Sequence, residues 1–532
     1  MRGFRWARVG LQFDNGSGAS YWHTVRDSLF EKCQTGLYLN LPSGGVSLVN
    51  VQKCNVTTPI TGCCYWTGTI TDSPLCTDKS FLALRNNDVS DYAAYVQWPP
   101  DTMGAVGPSH FVANIQYVIA VFNKTSGTLQ EWTDIGTFFG ANVPADPRII
   151  YDQQCQRWIA CVADKADQSR NVRLAVSRSS DPSGLTTNWD KYTLPVAEPG
   201  FYPDFPTLGA DANGIYIAVH LYQPLQNPTA WMQKVVAIKK QTNCLTVINP
   251  SDIHVLPPLS SPYIWFVIQA TVNFDAVAAD GIAWFVAKGQ GQPGPIQYGR
   301  LKWINGTPQF LEDPWNNSLS APQSYFDLDN NFSFSAPQKP YGDNNQGITM
   351  NTGSRLMMAV VRNGHLWTCQ HVGLNAQGSY NGDPESALRT GCQWFKLQIS
   401  TDGQSLSIAD HNRIYDNASS SPYFYYFPSL MVNSAGDMVM GFSGSRDTEH
   451  IGAFYTGRRA NGAQPNKPIL IQAGKGFYGG ARWGDYSYTS LDPNDGLTFW
   501  TIQQYAETPA SGENPALAQR YGLWVTRIMK NP

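Results

Sequence analysis

RWGDYSYTSLDPNDGLTFWTIQQY, residues 482–505, decides the fold, because it contains one complete unit of a repeat. It begins with a polar turn that carries Arg482 and Asp485, continues as an apolar strand, turns again at DPNDG and returns as a second apolar strand. Apolar runs bounded by Gly, Pro, Asn and Asp are typical of β-strands joined by tight turns. The stretch therefore predicts two neighbouring strands, the first of which begins beside a polar turn.

Six further stretches follow the same order of turn, strand, turn and strand. They begin at Trp98, Val143, Tyr202, Val272, Lys339 and Tyr425, and the copies at Val272 and Lys339 are the weaker ones. The starts lie roughly 45 to 85 residues apart, and a four-stranded propeller blade needs about 40 to 50 residues plus its loops. The pattern predicts an all-β protein, a β-propeller of seven blades. Six or eight blades, or a pair of β-sandwich domains, are the alternatives.

The composition agrees with many short strands. Charged residues make up 14% of the chain and aromatic residues 13%, while 47 Gly and 35 Pro are scattered along it. The formal net charge is -3 and there is no block of basic residues, so we expect no nucleic-acid partner. No apolar run approaches the roughly 20 residues of a membrane-spanning helix, so we expect no membrane span.

Residues 1–85 differ from the repeats that follow. They hold half of the ten cysteines, and apolar periodicity is weak there. The five cysteines of this part are Cys33, Cys54, Cys63, Cys64 and Cys76. We therefore predict a Cys-rich N-terminal segment, residues 1–85, followed by the propeller, residues 86–532. The segment is a candidate for self-association between copies of the chain.

The cysteine count bears on the compartment. An even total without paired C-x-x-C motifs favours disulfides and an oxidising environment, with buried free thiols as the alternative. Cys155 with Cys161, and Cys369 with Cys392, are close enough in sequence to close two hairpins. Cys244 would then pair with the odd N-terminal cysteine. Sequence alone does not determine such connectivity.

Other features bear on export from the cell. The first twenty residues include basic residues but no apolar segment, so they are not expected to act as a signal peptide. Seven N-x-[ST] sequons would become glycosylation sites if the chain passes through a eukaryotic secretory pathway. Together with the cysteines, they predict a secreted glycoprotein, extracellular or at the cell surface.

Several of the repeats also resemble a known family. PPDTMGAVGPSHFV (99–112), DPRIIYD (146–152), YPDFPTLG (202–209), YFPSLMVNSAGDMVMGFS (426–443) and RWGDYSYTSLDP (482–493) are similar to secreted, largely uncharacterised sialidase-like β-propeller proteins. The resemblance covers about residues 90–530 and implies a propeller fold and an extracellular location. The chain departs from true sialidases at the Asp-box turn, where Asn494 replaces the Asp, and it has no F-R-I-P-like stretch.

Four aspartates occupy the turn that precedes an inner strand: Asp101, Asp146, Asp204 and Asp485. In a propeller these turns meet around the axis, so we expect the carboxylates to converge. Converging carboxylates can supply the acid and base of glycoside cleavage. They could also bind Ca²⁺, which prefers several oxygen ligands, although no metal is fixed by the pattern. The simpler interpretation is that each Asp caps its own turn.

Arginine and aromatic residues lie beside these aspartates. Arg148 and Arg482, with Arg446 as a third, could clamp an acidic sugar, or they could pair with aspartates of adjacent blades. Trp98, Trp483 and Tyr486 are candidate platforms for a sugar ring, and Tyr486 is also a candidate nucleophile. Packing inside the propeller is the alternative for all three aromatic residues.

Three functions are compatible with these features. The first is an extracellular module that binds a glycan or another surface polymer. The second is a carbohydrate-active hydrolase or lyase that uses Asp101, Asp146, Asp204 and Asp485. The third is a structural surface or filament subunit. Paired acids in an open pocket would favour the enzyme, and an exposed aromatic shelf would favour binding.

Overall fold

The computed structural model describes residues 75–86 and 99–530, except 116, 167–169, 224–229, 242–243, 245–246, 260–263, 279–280, 292, 312–316, 329–333, 351, 384–387 and 463–466. Within residues 1–74 it describes the backbone of short strands. The chain divides into two compact units, Met1–Asp78 with Met529–Pro532, and Lys79–Ile528. The predicted division at residue 85 stays a prediction. None of the described helices is long and apolar enough to cross a bilayer.

The N-terminal unit contains short strands that pair in parallel with the third strand along the chain. They are β1 Phe4–Arg5, β2 Gln12–Asp14, β3 His23–Arg26, β4 Leu29–Glu31, β5 Tyr38–Asn40, β6 Val49–Gln52 and β7 Asn55–Val56. β1 pairs with β4, β4 with β7, β2 with β5 and β3 with β6. Pairing at this interval is typical of a chain that coils through parallel rungs. Cys33, Cys54, Cys63 and Cys64 lie outside the described residues.

The second unit consists almost entirely of strands. The first are β8 Leu75–Arg85, β9 Met103–Val106, β10 His110–Ile115, β11 Val118–Asn123, β12 Leu129–Asp134, helix α1 Ile135–Phe139, β13 Pro144–Asp152, β14 Arg157–Asp164, β15 Asn171–Ser177 and β16 Trp189–Leu194. Next come β17 Tyr202–Ala210, β18 Gly214–Gln223, β19 Ala230–Lys239, the 3₁₀ turn Pro250–Asp252, β20 Ile253–Val255, β21 Ile264–Ala270 and β22 Val272–Asn273.

The remaining strands complete the unit. They are β23 Ile282–Gly289, β24 Ile296–Ile304, β25 Thr307–Phe310, β26 Asn317–Leu319, β27 Ser335–Ala336, β28 Ile348–Thr349, β29 Met358–Arg362, β30 His365–Leu374, β31 Arg389–Ile399, β32 Leu406–Ile414, β33 Phe424–Val432, β34 Met438–Arg446, β35 Glu449–Arg458, β36 Ile469–Gln472, β37 Tyr488–Leu491, β38 Phe499–Ala506 and β39 Tyr521–Lys530.

These strands form antiparallel sheets arranged as a propeller, which confirms the predicted fold class. Consecutive strands pair within β9–β12, β13–β16, β33–β36 and β21 with β23–β25. A nine-stranded sheet contains β17–β20 and β29–β32, joined by β22, which pairs in parallel with β17 and β29. The first strands contact in a closed circuit, β9, β13, β17, β21, β29, β33, β37 and again β9. In the last sheet β8 lies beyond β39, so a strand that precedes β9 in sequence completes the sheet of β37–β39.

The strands are buried on both faces because each sheet is covered by the next. Every residue of β33 is buried, as expected for a continuous apolar run between two layers. Between β18 and β23, for example, Ala218, Ile268 and Phe285 belong to one core cluster. Each large apolar side chain buried in this way contributes roughly 1.5 to 3 kcal/mol. Packing between sheets therefore holds the strand ends around the axis.

A bulge recurs where the inner strands begin. Residues with positive φ occur there at Asp101 (42°), Asp146 (57°), Phe205 (45°), Val267 (42°), Gly353 (59°), Phe427 (52°) and Gly484 (64°). The pairing register shifts at four of these points, between Ala145 and Arg148, Asp204 and Thr207, Phe266 and Gln269, and Tyr426 and Ser429. A bulge bends the strand and redirects its side chains. The repeated turn of the sequence is therefore the device that aims polar side chains at the axis.

The predicted disulfide pairings are wrong. Cys155 is bonded to Cys244, with their Cα atoms 5.2 Å apart, and Cys161, Cys369 and Cys392 are buried free thiols. Cys155 lies in the turn between β13 and β14, whereas Cys161 lies within β14 opposite Arg148. Cys76 is also disulfide-bonded.

Geometry explains why the second predicted pair does not form. On β30 and β31, Cys369 lies opposite Trp394, and Cys392 lies opposite His371. Cys369 and Cys392 are therefore diagonal neighbours, with Cα atoms about 7 to 8 Å apart. A disulfide does not bridge that separation without movement of the backbone.

Candidate functional site

Three buried carboxylates lie together at the axis. One carboxylate oxygen from each of Asp101, Asp146 and Asp485 lies within 4.8 Å of the other two. The exposed fractions of these residues are 1%, 5% and 4%. Burial, and then the negative charges of Asp485 and Asp146, raise the pKa of Asp101 well above its ordinary value. Burial beside two other carboxyl groups therefore favours the protonated form of Asp101.

Lys165 connects the cluster to the fourth predicted aspartate. Its Nζ lies 2.5 Å from an Asp204 oxygen and 3.4 Å from an Asp146 oxygen. The same Asp146 oxygen accepts a hydrogen bond from the backbone N–H of Phe205 at 3.1 Å. Burial acts to lower the pKa of Lys165, but Asp146 and Asp204 outweigh it and raise that pKa. Burial likewise acts to raise the pKa of Asp204, but the Lys165 charge leaves that pKa lowered.

Arg482 lies on the other side of the cluster. Its Nη2 lies 2.5 Å from an Asp485 oxygen, and 44% of its side chain is exposed, against 24% for Lys165 and 32% for Asp204. Burial acts to lower the pKa of Arg482, but Asp485 and Asp101 raise it. The polar side chains thus follow one another across the axis in the order Asp204, Lys165, Asp146, Asp101, Asp485 and Arg482, with a cation at each side of the three central carboxyl groups. We call this set the axial mouth.

Arg148 and Tyr486 lie near the carboxylates but are buried. Arg148 donates from Nε to the Pro206 carbonyl at 2.7 Å, and its guanidinium carbon lies 3.4 Å from the Tyr486 ring centroid. The Tyr486 hydroxyl donates to the Pro147 carbonyl at 3.2 Å, and 1% of the residue is exposed. Tyr486 is therefore a packed ring and not an exposed sugar platform. Arg148 shares its stacking with Phe205, 4.8 Å away.

Two further predicted residues do not face the axial mouth. Trp483 is fully buried, donates from Nε1 to the Ser443 hydroxyl at 3.1 Å and packs on Tyr478. Arg446 forms an ion pair with Glu449 and stacks over Tyr423 at 4.5 Å. Of the three arginines predicted to form a clamp, Arg482 is part of the axial mouth, whereas Arg148 is buried and Arg446 is paired with Glu449. Trp98 lies outside the described residues.

Residues that the sequence did not single out complete this region. Lys165 directly follows β14, and Tyr117 lies in the turn between β10 and β11. Burial, and then the charge of Asp101, raise the pKa of Tyr117 to about 12. Both residues lie where a second strand returns to the axial end of its sheet. This topology could have identified both residues from sequence, because the second strand of each blade is antiparallel to the first and ends beside its start.

Three aromatic residues lie side by side on one sheet next to Asp204. Tyr202 on β17 is opposite Tyr222 on β18, and Tyr222 is opposite Trp231 on β19. All three are partly exposed, and the Tyr202 and Tyr222 ring centroids are 6.0 Å apart. We call these three residues the aromatic row.

A polar row accompanies the aromatic row. Asp204 is opposite His220, and His220 is opposite Gln233, whose Nε2 lies 2.8 Å from the His220 Nδ1. Burial, and then the positive charges of Arg355 and Lys165, lower the pKa of His220 to about 3. His220 is consequently neutral at physiological pH, and the polar row places no positive charge behind the aromatic row, since His220 and Gln233 are both buried.

The axial carboxylates fit Ca²⁺ poorly. Ca²⁺ takes six to eight oxygen ligands and no nearby cation. Here Lys165 already lies against Asp146, and Arg482 against Asp485. Because the protein supplies its own positive charge, the cluster is better suited to exchanging hydrogen bonds than to binding a metal ion.

No protein-family model matches the chain, and no curated protein matches it. Among solved structures, Trypanosoma rangeli sialidase is 13% identical over 80% of this chain, with a TM-score of 0.35, and the chain spans 59% of that sialidase. The α-L-arabinofuranosidase of Lactobacillus brevis is 11% identical over 61% of this chain and 94% of its own, with a TM-score of 0.32. Likeness of this degree does not carry an activity from one protein to another.

Proposed function

We propose that this protein is an extracellular propeller that binds a glycan at the axial mouth. The observation that carries the proposal is the pairing of cationic donors with carboxylate acceptors there, with Lys165, Asp204 and Arg482 partly exposed. A sugar hydroxyl both donates and accepts, so adjacent sugar hydroxyls can bond to a cationic donor and a carboxylate at once. Convergent polar groups of this kind are typical of small-ligand sites.

We further propose that the propeller has seven blades. The nine-stranded sheet counts as two blades, because β22, with two residues, is what joins its halves. The seven positive-φ residues at the starts of inner strands support the same number. Each blade would then contribute one positive-φ residue at the axial end of its first strand.

An extracellular location is supported by the Cys155–Cys244 disulfide, since disulfides persist in oxidising compartments. Asn305, in the turn between β24 and β25, and Asn417 are exposed sequon residues. They would carry glycans in a eukaryotic secretory pathway. Binding to another surface polymer and self-association through residues 1–85 stay predictions.

The substitution Asp204→Asn tests the binding site. We expect it to weaken glycan binding roughly tenfold or more, because a hydrogen bond to a charged group contributes about 1.5 to 3 kcal/mol. The measurement is titration calorimetry with glycans selected in an array screen of neutral and acidic oligosaccharides. Because the variant also weakens the ion pair with Lys165, binding is compared at a temperature at which thermal melting shows both proteins to be folded.

Asp190→Asn is the matched control, since Asp190 pairs with Arg178 on the surface at 2.8 Å, on β16. It should leave glycan binding unchanged. Equal binding by wild type, Asp204→Asn and Asp190→Asn would contradict a site at the axial mouth. Failure of the wild type to bind any glycan would contradict the proposed function itself.

A second candidate function is glycoside hydrolysis, favoured by the raised pKa of Asp101 beside Asp485. Two carboxyl groups with different protonation states are the usual acid and base of this reaction, and those of retaining enzymes lie about 5 Å apart. For this reaction the glycosidic oxygen would have to reach Asp101, which is 1% exposed, and Asp485 or Asp146 would then stabilise or attack the anomeric carbon.

If the wild type releases reducing ends from a bound glycan, Asp101→Asn should lower the rate at least about 100-fold, because general acid catalysis contributes that much or more. Binding of the intact glycan should persist in the variant. Unchanged product release would exclude Asp101 as the acid. Binding without any product from the wild type would leave the binding function alone.

A further inference from the structure

The aromatic row extends the axial mouth along one sheet. It crosses three adjacent strands in register, from Tyr202 on β17 through Tyr222 on β18 to Trp231 on β19. Asp204 lies two residues beyond Tyr202 on β17, and Lys165 is bound to Asp204. A ligand that contacts Asp204 and Lys165 can therefore continue over the row without leaving this sheet.

We infer that the ligand is an oligosaccharide, held at one end by the axial mouth and stacked through its sugar rings on Tyr222 and Trp231. This inference rests on the proposed function and adds the length and class of the ligand. Adjacent strands lie about 4.8 Å apart, so the row spans about 10 Å, roughly two sugar units.

The three rings of the aromatic row differ in how much of each ring a ligand can contact. Arg170 stacks on Tyr202 at 4.1 Å and donates a hydrogen bond to its hydroxyl at 3.0 Å, which covers one face of that ring. Trp231 packs against the core cluster between β18 and β23 while staying partly exposed. A ring fixed from behind loses little conformational entropy when a ligand stacks on it. Tyr222 and Trp231 are consequently the rings that we assign to stacking.

The surroundings favour neutral sugar rings. The His220 and Gln233 side chains of the polar row are buried and bond to each other at 2.8 Å, so they bring no charge to the aromatic row. Charge is concentrated at the inner end, where Lys165, Asp204 and Asp146 lie. The ligand we infer therefore presents hydroxyl groups at the axial mouth and the apolar faces of uncharged pyranose rings to Tyr222 and Trp231.

The test measures affinity against chain length. Probes are cello-, malto- and chito-oligosaccharides from monosaccharide to hexasaccharide, titrated into the full chain. For the wild type, affinity should rise over the first few sugar units and then level off. Tyr222→Ala and Trp231→Ala should each weaken binding of the longer probes roughly three- to tenfold while leaving monosaccharide binding unchanged. Trp231→Phe should retain most of the affinity.

Trp132→Ala is the matched control, because Trp132 is an aromatic residue with 37% exposure on β12. Its affinity for every probe should equal that of the wild type. The inference would be overturned if the wild-type affinity did not depend on chain length, or if the Tyr222→Ala and Trp231→Ala variants bound as tightly as the wild type. In either case Asp204→Asn would still test whether the axial mouth binds a glycan. If the wild type binds none of these probes and nothing in the wider array, the inference and the proposed function both fall. Binding of acidic glycans alone would overturn the assignment of neutral rings.

Discussion

Replacing Cys155 and Cys244 together with alanine will lower the free energy of unfolding of the propeller by about 4 to 5 kcal/mol. The two residues are 89 apart in sequence, and closing a loop of that length removes this much entropy from the unfolded chain in the loop-closure treatment. The bond connects the turn after β13 to the segment after β19. Denaturation by guanidinium, followed by tryptophan fluorescence, measures the loss as a lower midpoint.

Two controls separate the effect of losing the disulfide bond from the effect of replacing the cysteine side chains. Each single variant, Cys155→Ala or Cys244→Ala, should lose about as much stability as the double variant, because either one removes the whole crosslink. Wild type treated with a reductant should approach the same midpoint. A loss under about 1 kcal/mol in the double variant would show that the unfolded chain is not restrained by this bond, contrary to the entropy argument.

The convergence of the four aspartates could be predicted from sequence because their positions repeat. Asp101, Asp146, Asp204 and Asp485 each occur where an inner strand begins, and a propeller brings all such positions to its axis. Local sequence contains this information, since a polar turn before an apolar run is visible without knowing the fold. Local sequence does not show the direction in which each side chain points. The positive-φ residues near the starts of the first strands set that direction.

The partners of those aspartates could not be predicted in the same way. Lys165 and Tyr222 come from the ends of β14 and β18, where the seven repeats share no polar residue that would mark the position. Trp483 shows the opposite failure, because its position near Asp485 suggested exposure, whereas it is fully buried and donates a hydrogen bond to Ser443. The positive φ of Gly484, which lies between Trp483 and Asp485, is a tertiary feature that the local pattern does not reveal.

The disulfide was mispredicted for a related reason. Proximity in sequence favoured Cys161 as the partner of Cys155, but strand pairing places Cys161 opposite Arg148, in the middle of the sheet. The true partner, Cys244, is distant in sequence and belongs to the next sheet. Contacts between sheets depend on the three-dimensional arrangement of the blades, which no local pattern specifies.

The junction between the sheets of β13–β16 and β17–β20 is held at both ends. At the axial end, Lys165 binds Asp146 and Asp204. About 20 Å along β13, the other end carries the disulfide and an ion pair between Lys240 and Asp152. Because both sheets supply residues to the axial mouth, a junction fixed at its far end limits how far Asp146 and Asp204 can separate.

The substitution Lys240→Met will therefore destabilise the protein by about 3 to 5 kcal/mol. Lys240 Nζ lies 2.5 Å from an Asp152 oxygen, and each side chain is 6% exposed. Removing the cation leaves the Asp152 carboxylate buried without it, and an uncompensated buried charge costs that much. Lys240 also donates to the Asp211 carbonyl at 2.6 Å, a bond that methionine cannot replace. Guanidinium unfolding of the disulfide-intact protein measures the loss.

The double variant Lys240→Met/Asp152→Asn decides between charge and packing. Asparagine is neutral, and its side-chain oxygen can still accept the Gln154 backbone N–H, which the Asp152 carboxylate accepts at 3.2 Å. If the cost arises from the buried charge, the double variant should recover most of the stability that Lys240→Met loses, because a neutral pair can replace a buried ion pair at little cost. A double variant as unstable as the single one would show that the loss comes from the packing of the Lys240 stem and from its hydrogen bond to Asp211. It would contradict the view that a buried ion pair stabilises this end of the junction.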